Sequence, residues 1–206
     1  MPVFVPERKR SSRGELRVEG LLLAAARLFA KLGYHAVTTN AIAAEAGVSP
    51  ATLYQFFPNK EAIADELATR YSVALAEEEK AADLTLLVKR PLAEAVAAIM
   101  EIVVVFHQKH PAFRTLLTEA LLSEGAMGEK HRLSETFVGQ LAEFLTMRRP
   151  ALAKADALWS AEVCLTILKG FLPQVAGRKT AERTRAIESM NQVMVRFLEP
   201  IVRVKG

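Results

Sequence analysis

The stretch from Thr38 to Lys60 alternates helix-start and helix-stop residues so closely that it admits only short helices joined by tight turns. Thr38-Thr39 offer an N-cap oxygen for a free backbone N–H, and Asn40–Ala46 suits a short helix that Gly47 closes. Ser49 is a second N-cap with Pro50 at the first helical position, which predicts another short helix through Phe56 or Phe57. Pro58-Asn59 breaks the chain again, and Asn59 can cap a longer helix from Lys60 to about Glu79. Ile42, Ala46, Val48, Leu53 and Phe56 are the apolar positions that hold such a pair at a steep angle. Ala43 is small where the two helices approach, and Gly47 takes the turn position that favours left-handed backbone. This is the spacing of a helix-turn-helix, with an ordinary αα-hairpin in a bundle as the plainer alternative.

Helical spacing governs the rest of the chain. Val18, Leu21, Leu22, Ala25, Leu28, Phe29 and Leu32 recur at i, i+3, i+4, giving an amphipathic helix from Glu15 that Gly33 ends. Beyond Pro91 the sequence predicts long helices over Pro91–Lys109, Pro111–Ser123, about Met127 to Arg148, Leu152–Val175 and Thr180–Val204. Strand alternation, internal repeats and low-complexity segments are missing from the sequence, and aromatics make up only 7%, so the expected fold class is all-α. At 206 residues the chain lies between one and two domains. A mean hydropathy of +0.16 suggests apolar surface buried beyond a monomer core, in an oligomer interface or a ligand pocket.

The longest apolar run, Ala95–Phe106, is cut by Glu101 and falls short of the ~20 residues a membrane span needs. Leu21–Ala26 is followed at once by Arg27, without a signal-peptide cleavage pattern. A single cysteine, Cys164, excludes an intrachain disulfide and a thiolate metal cluster. A soluble cytoplasmic protein, with no membrane partner, is the expectation.

Charge is unevenly placed. Residues 1–60 carry eight Lys/Arg (Arg8, Lys9, Arg10, Arg13, Arg17, Arg27, Lys31, Lys60) and four Glu (Glu7, Glu15, Glu19, Glu45). That excess accounts for the whole +4 of the chain, so the remainder is neutral. A basic N-terminal third on a neutral body suggests a polyanion-binding module, and residues 1–14 read as a flexible basic arm. The expected division is therefore the arm at 1–14, a helix-turn-helix domain at 15–64 and a helical body at 65–206.

The outward face of the second short helix fits contact with duplex DNA. Pro50, Ala51 and Thr52 are small enough at its N-terminus to approach base edges, and Gln55 one turn later is a base-reading side chain. Thr39, Tyr54 and Lys60 offer hydroxyl and ammonium donors suited to phosphates, beside the N–H groups of the helix starts.

Thr38-Thr39, Ile42-Ala43, Ala46-Gly47-Val48-Ser49, Thr52-Leu53-Tyr54 and Phe57-Pro58-Asn59-Lys60-Glu61 together resemble the N-terminal domain of the TetR family of transcriptional regulators. The likeness runs from about Glu15 to Ala64, and beyond it only helical layout and length are similar. It implies a homodimer on a palindromic operator in double-stranded DNA, with an effector cavity in the C-terminal domain. It puts base contacts on Asn40, Pro50, Ala51 and Gln55, and phosphate contacts on Thr39, Thr52, Tyr54 and Lys60. Phe56 departs from the family, which often has Tyr or His there, and is better read as core.

Two later helices carry apolar seams. In Leu152–Val175, Leu158, Ala161, Leu165, Leu168 and Leu172 follow 3,4 spacing, with Trp159, Val163, Ile167 and Phe171 on a second side. The last helix repeats it with Ile187, Met190, Met194, Phe197 and Ile201. Leu165, Leu168, Leu172, Met190, Met194, Phe197 and Ile201 are thus expected at an intersubunit bundle, the alternative being pairing within one chain. Met100, Val103, Val104, Phe106, Phe113, Leu117, Phe137, Leu141, Phe144 and Trp159 are the expected lining of a pocket for a small hydrophobic effector, against the reading that most are ordinary core. Glu94, Glu101 and Gln108 form a solvated stripe, and His107 and His110 are expected at the surface beside a helix break.

Nothing in the sequence assembles an enzyme. Cys164 sits in an apolar helix context, the four histidines lack HExxH spacing, and no GxGxxG, Walker loop or GxSxG occurs. Neither a metal nor a cofactor is expected. Two other readings stay open: a DNA-binding regulator controlled by a protein partner, and a hydrophobic-ligand-binding protein with a decayed DNA head.

Overall fold

The computed structural model describes residues 13–120, 122–176 and 180–203. The basic run Arg8-Lys9-Arg10 and the chain beyond Arg203 lie outside them. Among the described residues there are ten helices and no strand: α1 Arg13–Leu32, α2 Thr39–Glu45, α3 Pro50–Phe56, α4 Lys60–Lys80, α5 Leu84–Leu87, α6 Leu92–Lys109, α7 Pro111–Glu119, α8 Glu124–Arg148, α9 Lys154–Ala176 and α10 Thr180–Val202. The fold is all-α, a helix-turn-helix domain followed by a helical C-terminal domain.

Local chemistry accounts for the early boundaries. The Ala41 amide donates to Thr38 Oγ1 at 3.2 Å, the Thr52 amide to Ser49 Oγ at 3.1 Å and the Ala62 amide to Asn59 Oδ1 at 2.8 Å. Each bond satisfies a donor that a helix start leaves free. Gly33 and Gly47 both take left-handed backbone, with φ of +81° and +68°. Helix α1 begins at Arg13, so the last two residues assigned to the arm are helical. Helix α5 was not expected; Asp83 starts it by accepting from the Thr85 and Leu86 amides. Helix α7 stops at Glu119 because Ala120 is extended, and α8 starts early because Ser123 Oγ accepts from the Ala126 amide at 3.3 Å.

Two compact units divide the chain, one comprising the described residues through Ala74 with His107–His131, the other Leu75–Phe106 with Arg132 onward. The division falls elsewhere than between residues 64 and 65. In the first unit α1 packs against both α2 and α7, around a core that includes Leu21, Leu22, Phe29, Ile42, Leu53, Ile63, Leu67 and Tyr71. Helix α7 is held there by the Tyr34 amide, which donates to Glu119 Oε2 at 2.9 Å. The Ser123 amide donates to Asp65 Oδ1 at 2.9 Å.

His107 and His110 are buried in this unit and not at the surface. His107 stacks on Phe113 at 5.1 Å, and Tyr71 packs against both His110 and Phe113. Burial pulls the His107 acid constant down to about 4, with Arg114 and His110 adding to the effect. The apolar residues on either side of the helix break draw both rings inward.

In the second unit α9 and α10 pack together. Ala157, Ala161, Cys164 and Leu168 of α9, and Met190, Met194 and Leu198 of α10, are buried within the single chain. Leu168, Met190 and Met194 are therefore corrected from partner-facing to core: at 1%, 0% and 0% exposure they leave no surface for a second subunit. Burial raises the Cys164 thiol to about 12, which leaves it a small inert apolar group. Leu165, Leu172, Phe197 and Ile201 are half-buried, while Trp159 and Val193 stand 66% and 45% exposed.

Candidate functional site

The cap on Ser49 starts α3 at Pro50, and the turn at Gly47 leaves Pro50, Ala51, Tyr54 and Gln55 on its exposed side. Leu53 on the opposite side is fully buried and fixes which face looks outward. Asn40, in the first turn of α2, is also exposed. Phe56 is half-buried, whereas Phe57 is 7% exposed and closes the helix inward.

Three of the expected phosphate donors meet. His35, Val37, Thr38, Thr39, Tyr54, Pro58, Asn59 and Lys60 line an open concavity of about 380 Å³. The Thr39 and Tyr54 hydroxyls are 2.9 Å apart, and the Lys60 Nζ donates to the Tyr34 carbonyl at 3.0 Å while lying 4.2 Å from the Tyr34 ring centre. One of the three ammonium protons is thus held by the Tyr34 carbonyl, which leaves two for another acceptor. Tyr34 itself is buried, and burial together with Glu61, whose Oε1 accepts from its hydroxyl at 3.2 Å, pushes its phenol up to about 12. Thr52 is placed apart from this group, its hydroxyl 2.9 Å from Ser49 Oγ. His35, Thr38 and Asn59 line the concavity without having been expected there; Thr38 and Asn59 were legible only as cap residues.

The expected pocket residues are distributed differently. Met100, Val103, Val104, Phe106, Phe137, Leu141 and Phe144 are buried in the second unit, while Phe113 and Leu117 belong to the first. Trp159 is removed from the lining, since it lies on the surface of α9. An enclosed cavity of about 10 Å³ in the second unit is lined by Glu79, Ala82, Leu84, Ile99, Ile102, Phe137, Gln140 and Leu141. Of the expected residues only Phe137 and Leu141 reach it. Among the described residues no three His, Cys, Asp or Glu side chains gather closely enough to hold a metal ion, and no helix is long and apolar enough to cross a membrane.

Residues 21–67 match the profile of bacterial regulatory proteins of the tetR family. Residues 91–198, more than half of the chain, match that of the tetracyclin repressor-like C-terminal domain. The chain belongs to the TetR family. It is accordingly a TetR-family DNA-binding transcription regulator. The chain is similar to the uncharacterized HTH-type transcriptional regulator YxaF of Bacillus subtilis (strain 168), 48% identical over 60 residues, 29% of this chain and 31% of that protein. The match thus spans about a third of that relative's length.

Solved structures of other regulators share the fold at low identity. A tetR-family transcriptional regulator from Streptomyces coelicolor superposes with a TM-score of 0.74 at 17% identity, over 91% of this chain and 82% of that one. A transcriptional regulator from Rhodococcus sp. Rha1 gives 0.72 at 16%, over 91% and 98%. The fatty acid degradation regulator FadR from Bacillus halodurans gives 0.65 at 14%, over 91% and 97%.

Proposed function

We propose that this TetR-family regulator acts as a repressor and a homodimer in the cytoplasm, each subunit setting α3 in one half-site of a palindromic operator. A small hydrophobic effector then releases it. The observation that carries the reading is the convergence of Thr39, Tyr54 and Lys60 on one open concavity that borders α3 at Tyr54, on the exposed side of that helix. Hydroxyl and ammonium donors grip phosphates and set the register, while Asn40, Pro50, Ala51 and Gln55 face base edges. Thr52 adds a hydroxyl at the start of α3.

The homodimer reading rests on α9 and α10. Trp159, Val163 and Ile167 follow four-residue spacing on α9, as Val193, Phe197 and Ile201 do on α10, and all six keep exposed or half-buried surface. Exposed apolar surface of this kind is what a second subunit covers. Release by an effector requires that it bind the DNA-free form better; a hundredfold weakening of operator binding corresponds to about 2.7 kcal/mol of coupling.

Duplexes selected from a random-sequence pool, followed by fluorescence anisotropy, test the reading. The expected outcome is sequence-preferring binding by a dimer, with a salt dependence of about −0.9 per neutralised phosphate. Binding without sequence preference would overturn it. The enclosed cavity, about 10 Å³ against the roughly 300–1,000 Å³ of ordinary ligand pockets, favours a second reading in which a protein partner releases the DNA. Release by a purified small molecule excludes that second reading.

A further inference from the structure

Glu79 lies in the last turn of α4, where the run Glu77-Glu78-Glu79-Lys80 would ordinarily be solvated. Instead it is 5% exposed, and its Oε2 has no hydrogen-bond partner among the described residues. The enclosed cavity it lines is otherwise made by apolar groups such as Leu84, Ile99, Phe137 and Leu141, with the Gln140 amide as the one other polar side chain. Burial pushes the carboxyl up to about 8, so near neutral pH it mostly keeps its proton. A buried acid without a partner is costly to the fold, and a ligand that supplies the partner is correspondingly favoured.

An open groove shares Ile102 with this cavity. It measures about 410 Å³, and its other walls are Ala81, Ala98, Val105 and the exposed carboxylates Glu78 and Glu101. The groove offers an apolar bed between two negative charges, and no cationic side chain lines either space. An anionic head would meet three carboxyl groups along this route. A cationic head meets complementary charge at Glu78 and Glu101 and, at Glu79, a carboxyl that can ionise to pair with it.

Resting on the reading that this regulator answers to a small effector, we propose that the effector is a lipophilic amine. Its apolar body lies in the groove against Ala81, Ala98 and Val105, and its ammonium head passes Ile102 to pair with Glu79. The titratable groups facing this route are Glu78 and Glu79 from α4 and Glu101 from α6; α5 and α8 bring none to either lining. The ammonium enters charged, Glu79 gives up its proton to solvent, and the pair that forms is neutral overall.

Three probes with one body separate the chemistry: 4-phenylbutylamine, 4-phenylbutanol and 4-phenylbutyrate, titrated calorimetrically into the full chain in buffers of different ionisation heat. The amine is expected to bind about tenfold tighter than the alcohol, as a charge-assisted hydrogen bond warrants, with the carboxylate weakest. Amine binding near neutral pH releases a proton, and alcohol binding releases none. Glu79→Gln keeps the shape of the site, so the amine's advantage and its proton release disappear while alcohol affinity stays. Equal affinity for amine and alcohol, an amine preference that survives in Glu79→Gln, or no saturable amine binding each overturns the proposal. Operator anisotropy with the amine present keeps the two readings apart. Glu79-dependent amine binding that leaves DNA bound supports the ligand class and sinks the release; release by neutral or anionic molecules in Glu79→Gln does the reverse.

Discussion

Gln55 and Tyr54 are sequence neighbours on α3 with different expected roles, and substitution separates them. Gln55→Ala should relax preference at a single base pair, costing roughly 1–3 kcal/mol if the contact is bidentate. Tyr54→Phe removes only the hydroxyl that lies beside Thr39, so binding should weaken evenly on all duplexes. Anisotropy on a panel of single-base operator variants reads both. Glu79 gives a stability test that needs no ligand. Its acid constant rises from an ordinary carboxyl value to about 8 in the folded chain, so the fold binds the extra proton between those limits. Its contribution is complete below about pH 4.5, falls as pH rises, and is lost above about 8. Glu79→Gln should therefore gain on wild type as pH rises through that window, by an amount on the order of a few kcal/mol, in urea titrations at each pH. The signal for this burial was present in the sequence: Leu67, Tyr71, Leu75 and Glu79 follow four-residue spacing along the buried stripe of α4. Three consecutive glutamates hide such a position, because composition suggests solvent where periodicity says core.

Helix starts and stops were legible because they depend on groups within a few residues of one another. Ser49, Thr38 and Asn59 each cap the helix their position suggests, and Gly33 and Gly47 take the backbone that their place after a helix favours. Ser49→Ala should cost about 1 kcal/mol in thermal unfolding, and more in operator affinity, since it frays the end of α3 that approaches the bases. Gly47→Ala meets nothing within 4 Å, so its cost is the backbone strain alone, about 1–2 kcal/mol. Gly33→Ala adds a methyl 3.1 Å from Glu119 Oε2 and should cost more than Gly47→Ala when both are unfolded in urea. What local signals could not give is the side of a helix that faces the core when two sides are apolar. On α10 the core takes Met190, Met194 and Leu198 and leaves Val193 and Phe197 toward the surface, a choice made by the packing of α9 and α10.

For the assembly, that choice moves the decisive substitutions. Trp159→Asp with Val193→Asp should shift sedimentation from dimer to monomer while leaving the thermal transition of each chain nearly unchanged, because both positions are already exposed. Met194→Ala should behave in the opposite way, losing roughly 2–5 kcal/mol of stability through a core cavity with the dimer contact intact. A dimer that survives the double aspartate variant would assign the α9–α10 surface another role. The family could be read from the segment between Thr38 and Glu61 and the fold class from helical spacing along the chain, whereas the pocket could not. Buried aromatics such as Phe106 and Phe144 fill the core in the same pattern that would line a cavity, and only the packed structure tells filler from lining.

The first compact unit is written in two separate pieces of the chain, and the piece carrying α7 lies outside the segment that matches the family's N-terminal profile. This bears on how such regulators exchange specificities by recombination. A single crossover after residue 67 transplants the reading helices but leaves behind the native cover of α1 and the carboxylate that receives the Tyr34 amide. The hybrid inherits the donor's DNA preference with a foreign α7 against its first helix. Exchange at two crossovers, carrying residues 107–131 along, keeps those contacts. Heads traded between lineages should therefore bear matching α7 sequences more often than their distance along the chain would suggest.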